Sequence, residues 1–218
     1  MSTRIMMYLY RALVMLLAIP CHEAAHAWVS LKLGDSTGRD HGRLTLNPMA
    51  HFDPLGAACM ILAGVGWARP VPVNAARFRD PKRDMALSAL AGPVANLLLA
   101  YISMIGYKLL LYFAPDLTIM GYLMLFCYYM VVINVTLAVF NMLPVPPFDG
   151  SRILLVFLPR RIYFGIMKYE RYIFIGMFLL LAVGVLDGPL YVLQNGAIRL
   201  LDNGTRYIEL FVLALRAL

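Results

Sequence analysis

The chain has 218 residues, 61% of them apolar and only 14% charged, against about 45–50% and about 25% in a soluble domain. With a mean hydropathy of +0.73, this balance argues against a soluble globular protein. It excludes a disordered chain and any large domain outside a membrane. The net charge of +7 sits on basic residues between apolar runs, which reads as loops beside anionic lipid rather than as a nucleic-acid surface.

The expected fold is all-α and polytopic: one membrane domain over residues 1–218, with about four to six transmembrane helices and a short membrane-associated β segment. A span needs about 20 mostly apolar residues. The first candidate runs from about Ile5 to Leu33 and carries Arg11 and Glu23. Arg4 and Arg11 before Ala12–Ile19 imitate a leader, but Pro20 and Cys21 stand where a cleavage site wants small residues, so the segment is read as retained. Gly42–Leu46 and Val71–Val73 are short extended candidates, bounded by Asn47-Pro48, Asp53-Pro54 and Arg69-Pro70. Leu55–Trp67 is apolar but short, as a re-entrant segment would be. Met85–Tyr107 is a charge-free run of 23 residues, and Leu117–Phe148 one of 32 that ends in Pro144, Pro146 and Pro147. Tyr172–Leu186 is a shorter candidate span, whereas Leu190–Leu201 and Tyr207–Leu218 are too interrupted to assign. Cys21, Cys59 and Cys127 have no paired spacing, so no disulfide framework is expected.

Loop charge sets the orientation. Arg69, Arg77, Arg79, Lys82 and Arg83 lie in one loop and Arg160, Arg161, Lys168 and Arg171 in another, while the turn at Ala114–Asp116 has no cation. Two helices separate the basic loops, so both fall on one side, which the positive-inside rule makes cytoplasmic.

His22-Glu23-Ala24-Ala25-His26 is an H-E-x-x-H motif. On a helix, positions i and i+4 share a face, so two imidazoles can reach one Zn²⁺ while Glu23 takes a proton from water. The alternative is a surface helix that merely carries these residues. Its apolar setting argues against that, because ionisable groups are costly in a membrane segment. Catalytic zinc needs a third protein ligand. Asp149 follows a proline-rich break, Asn141-Met142-Leu143-Pro144-Val145-Pro146-Pro147-Phe148-Asp149-Gly150. There it reads equally well as a ligand or as the cap of the next helix.

In combination these motifs resemble the site-2 proteases, the zinc intramembrane metalloproteases of peptidase family M50, and most of all the short bacterial subgroup without PDZ or CBS domains. The resemblance rests on His22–His26, Gly42-Arg43-Leu44-Thr45-Leu46-Asn47-Pro48, His51-Phe52-Asp53-Pro54, Gly66 to Asn74, Ala91-Gly92-Pro93-Val94-Ala95-Asn96, and Asn141 to Gly150. It implies one zinc per chain held by His22, His26 and Asp149, with Glu23 as the general base. It implies transmembrane protein substrates, no nucleic acid, and a multi-pass protein of the bacterial cytoplasmic membrane with its active site toward the cytoplasm. It also implies that Asn96 and Asn141 serve the substrate backbone or the developing oxyanion. Interhelical packing is the other reading of that pair. Gly42–Leu46 is a candidate to pair with an unwound substrate as an added strand. His51 and Asp53 are read as loop-ordering residues, and Gly92-Pro93 as a helix kink. The competing class is a non-enzymatic zinc-binding membrane protein, either a pseudoprotease adaptor or a metal carrier. Glu23 discriminates, since such a site needs no base beside its ligand.

Overall fold

The computed structural model describes residues 3–54, 56, 68–154 and 156–216. In chain order the elements are α1 (Thr3–Lys32), the one-turn helices α2 (Thr37–Asp40) and α3 (Pro48–His51), a 3₁₀ turn (Ala75–Arg77), α4 (Pro81–Phe113), α5 (Thr118–Asn141), α6 (Asp149–Leu154), α7 (Arg160–Met167), α8 (Glu170–Ala182), α9 (Asp187–Gly204) and α10 (Tyr207–Arg216). Among the described residues, three helices are long and apolar enough to cross a bilayer: Arg4–Lys32, Pro81–Phe113 and Thr118–Asn141. Leu98, Ile102, Ile119 and Leu123 stand exposed on the outside of the bundle, which is the surface of a membrane protein rather than a soluble one.

Of the expected four to six spans, the described residues therefore support three. α8 has 13 residues and reaches about 20 Å, short of a core about 30 Å thick. α9 has 18 residues but includes Asp187, Arg199 and Asp202. The β segment is corrected, since the described residues form no strand. Gly42 turns at φ +67°. The Arg43 guanidinium donates to the Ala50 carbonyl, and His51 Nε2 lies 3.0 Å from the Thr45 carbonyl. These contacts fold Gly42–Leu46 back on its own neighbourhood. Val71–Val73 forms no strand pairing with the described residues. The expected re-entrant stretch at 55–67 lies outside the described residues except for Gly56, and so does Cys59. The flanks of that stretch meet, with the Arg69 N–H donating to the His51 carbonyl at 2.9 Å.

α4 begins upstream of its charge-free run because Asp80 caps it, accepting from the Arg83 N–H at 3.3 Å, and Pro81 occupies the first turn. α5 ends at Asn141, three residues before Pro144, as a run followed by prolines must. α1, α4 and α5 pack on one another. Ala100 and Met104 of α4 meet Val131 and Val135 of α5, and α9 covers them with Ala197, Ile198 and Leu201.

Two further contacts organise the ends of the bundle. At one end, buried Asp35 accepts from the Thr37 N–H at 3.0 Å and the Asn74 N–H at 2.7 Å, which ties the 34–54 loop to the 68–80 loop. His51 takes part in the same ordering, and Asp53 accepts from the Gly56 N–H at 2.8 Å, so both act in the loop as expected. At the other end, the buried Lys108 ammonium lies 2.7 Å from Asp202 Oδ1 and 2.8 Å from Glu209 Oε1, which clamps the α9–α10 corner to α4. Lys108→Met is expected to lower stability by about 1–2 kcal/mol rather than the larger cost of a fully buried pair. Asp202 is 55% exposed and Glu209 34%, so both carboxylates rehydrate once the lysine is gone. Thermal unfolding in detergent, with limited proteolysis at the Gly204–Arg206 corner, measures this.

Candidate active site

His22 and His26 lie one turn apart on α1, where their i, i+4 spacing predicts a shared face. Both are buried, and their rings meet edge to face with centroids 4.6 Å apart. α4 fixes their orientation. His22 Nδ1 lies 2.8 Å from Asn96 Oδ1, and His26 Nδ1 lies 2.7 Å from the Ser88 carbonyl. A carbonyl oxygen only accepts, so each Nδ1 carries the proton and donates it, which leaves each Nε2 with a lone pair. Those lone pairs converge. The two Nε2 atoms are 3.0 Å apart, and Asp149 Oδ2 lies 3.1 Å from one and 3.2 Å from the other.

Three acceptors facing one another at this range suit a cation between them. Zn–N and Zn–O bonds of about 2.0–2.2 Å at tetrahedral angles place ligand atoms about 3.3 Å apart, close to the spacing found. The residues therefore fit zinc, and the group His22–His26–Asp149 has the separations of a metal site. Asp149 arrives from α6 because Gly150 lets that helix start against the end of α5. A Cβ at Gly150 would run into the carbonyls of Met142 and Leu143.

Gly92 has a role that sequence reasoning missed. α4 continues through Pro93, and a Cβ at Gly92 would meet His26 Nε2 and lie 2.6 Å from His22 Nε2. Gly92 serves the close approach of α4 to the histidines. Ser88, Gly92 and Asn96 form a stripe at spacing four on the face of α4 that meets the histidines. That spacing was readable, but what lay opposite it was not.

The other expected residues separate. Glu23 and Asn141 line, with the three candidate ligands, a cavity of about 790 Å³ between α1, α4, α5 and α8. Glu23 Oε2 accepts from the Val71 N–H at 2.9 Å. The Asn141 amide donates to its own helix at Leu137, at 2.9 Å. Asn96 does not face the cavity: it is fully buried behind His22, and its Nδ2 has no partner among the described residues. This position suits it to orient the His22 imidazole. Asn96→Leu is expected to weaken zinc binding about 10–100-fold, as loss of an imidazole's outer partner does, and competition with a chelator of known affinity measures it. Among the described residues, Cys21 and Cys127 are free and take no part in the site.

Comparison with known proteins identifies the family. The family model "Peptidase family M50" matches residues 113–184. Over 182 residues the chain is 39% identical to "Putative zinc metalloprotease YwhC" of Bacillus subtilis (strain 168), covering 80% of each chain. It is 30% identical over 149 residues to "Putative zinc metalloprotease Rip2" of Mycolicibacterium smegmatis, covering 62% of this chain and 52% of that one. A 66-residue stretch is 44% identical to "Putative zinc metalloprotease MJ0611" of Methanocaldococcus jannaschii, covering 30% and 31% of the two chains. No solved structure matches the chain. The breadth of the Bacillus subtilis alignment, joined to a matching family model and an H-E-x-x-H helix, places the chain in peptidase family M50, the site-2 protease family of zinc metalloproteases.

Proposed function

We propose that the protein is a zinc-dependent endopeptidase that hydrolyses peptide bonds within transmembrane segments of other membrane proteins, in regulated intramembrane proteolysis. It is a multi-pass protein of the bacterial cell membrane with its active site toward the cytoplasm. One zinc per chain is held by His22, His26 and Asp149. The observation that carries the reading is the convergence of two imidazoles and a carboxylate at the wall of a cavity, inside a bundle of apolar helices, with Glu23 beside them.

Zinc, when bound there, polarises the scissile carbonyl and makes a neighbouring water more acidic. Glu23 takes a proton from the attacking water. The hydroxide oxygen adds to the carbonyl carbon, the C–N bond breaks, and Glu23 delivers the proton to the leaving nitrogen. Oε2 of Glu23 is held by Val71, so Oε1 is the oxygen left for that transfer. A cavity of about 790 Å³ is of ordinary ligand-site size. It admits a short unwound stretch of chain rather than an intact helix, so the substrate must lose local helical hydrogen bonds before it is cut.

The deciding experiment co-expresses the protein with single-pass membrane substrates and compares it with Glu23→Ala. Cleavage by the wild type, absent in the variant while both retain zinc, is the expected result. Equal zinc in both with no Glu23-dependent cleavage of any substrate would instead mark a zinc-binding protein that is not an enzyme.

A further inference from the structure

We infer that the main-chain amide of Val71 is a positioning group for the catalytic base, and that the Arg69–Val73 segment exists to present it. This rests on the proteolytic reading of Glu23 and adds to it a residue outside the H-E-x-x-H helix and the Asp-Gly turn.

The segment reads Arg69-Pro70-Val71-Pro72-Val73. Proline has no N–H, so Val71 alone can donate between positions 70 and 72, and that donor meets Glu23 Oε2 at 2.9 Å. The local backbone is stiff for reasons in the sequence itself. Pro70 and Pro72 hold φ near −65°, and the residues before them, Arg69 and Val71, are driven to extended conformations. The segment is also held at both ends. The Arg69 N–H donates to the His51 carbonyl at 2.9 Å, and the Asn74 N–H donates to buried Asp35 at 2.7 Å. The Val71 side chain is seated between α1 and α2. A Cβ on Gly38 would come 2.9 Å from Val71 Cγ1 and 3.3 Å from Ala27 Cβ, so Gly38 leaves the room that the valine fills.

A glutamate on a helix has several rotamers, and holding it in one costs conformational entropy. A rigid donor on Oε2 limits that freedom before substrate arrives and leaves Oε1 for the proton transfer. Catalysis gains from such prior positioning because misplacement by about 1 Å costs rate rather than binding. Pairing of Val71–Val73 with a neighbouring strand would compete for the same N–H.

The first measurement is amide hydrogen exchange of Val71 by NMR in detergent micelles, which needs neither zinc nor substrate. Protection at Val71 is expected to fall at least about tenfold in Glu23→Ala, the loss of one charge-assisted hydrogen bond. Protection unchanged by Glu23→Ala overturns the inference. The second measurement compares Val71→Pro, which deletes the N–H, with Val71→Ala, which keeps it and loses only side-chain packing. Val71→Pro is expected to lower kcat about 10–100-fold with KM within about twofold and zinc content unchanged, and Val71→Ala to keep a kcat at least about tenfold above it. Equal losses in the two variants, or zinc loss in Val71→Pro, assign the segment a purely structural role and overturn the inference. If the wild type cleaves nothing while Glu23→Ala abolishes protection at Val71, the proteolytic reading fails and the contact stands, so the two failures are distinguishable.

Discussion

Gly92→Ala is expected to leave the protein without zinc and without proteolytic activity while its helices remain. The added methyl has nowhere to go: it would meet His26 Nε2 and lie 2.5 Å from His22 Cε1. The histidine rings are the movable partners in that collision, and moving them is what dismantles the site. Away from such a contact, alanine in place of glycine favours a helix by about 1 kcal/mol, so the apoprotein is not expected to unfold. Elemental analysis for zinc, paired with far-UV circular dichroism, separates loss of the site from loss of the fold. Retention of zinc at one per chain would show that α1 and α4 do not approach as closely as the structure has them.

Asp149→Asn carries the second large effect and decides between the two roles that the sequence leaves open. Asparagine caps a helix about as well as aspartate, so a capping role predicts no change in zinc. A ligand role predicts a large one. The carboxylate supplies the only negative charge among the three converging groups, and its Oδ2 lies 3.1 and 3.2 Å from the two Nε2 atoms. Zinc affinity is expected to fall at least about 100-fold, at or beyond the upper end of what losing an outer partner costs. The effect also appears as stability. Zinc at 100 times its Kd adds about 2.7 kcal/mol to the native state, and that increment should be present in the wild type and absent in the variant. Thermal unfolding with and without added zinc measures it.

These two residues also show where the sequence stops informing. The pairing of His22 with His26 was legible because a helix repeats every 3.6 residues and both ligands lie within one turn. The basic loops, the uncharged turn at 114–116 and the proline stop after Asn141 were legible for the same reason, since each is a property of a short stretch. Asp149 was named only through the family resemblance, because it stands more than 120 residues from the histidines and its local context suits a cap equally well. For Asn96 the resemblance implied a substrate or oxyanion contact, and interhelical packing was the other reading. Burial behind His22 suits it to orient that ring.

The errors have a common physical origin. Gly42–Leu46 alternates like a strand, yet Arg43 and His51 capture nearby carbonyls and turn the segment back. Tyr172–Leu186 is apolar enough to span, but its helix stops at Ala182, too short to do so. Residues 187–218 could not be assigned because their anchor, Lys108, lies in α4, 94 residues from Asp202.

By itself, then, the sequence identified a helical membrane protein with an H-E-x-x-H helix suited to zinc, a glutamate beside its first histidine, and loop charges that predict an orientation. The tertiary structure alone showed that Asp149 meets the two histidines, why Gly92 must lack a side chain, what holds Glu23, and where the C-terminal helices dock. Periodicity, capping and charge act over a few residues and can be read along the chain. Which faces meet depends on close packing between elements far apart in sequence, where a single methyl group at Gly92 or a single amide at Val71 determines whether the groups converge.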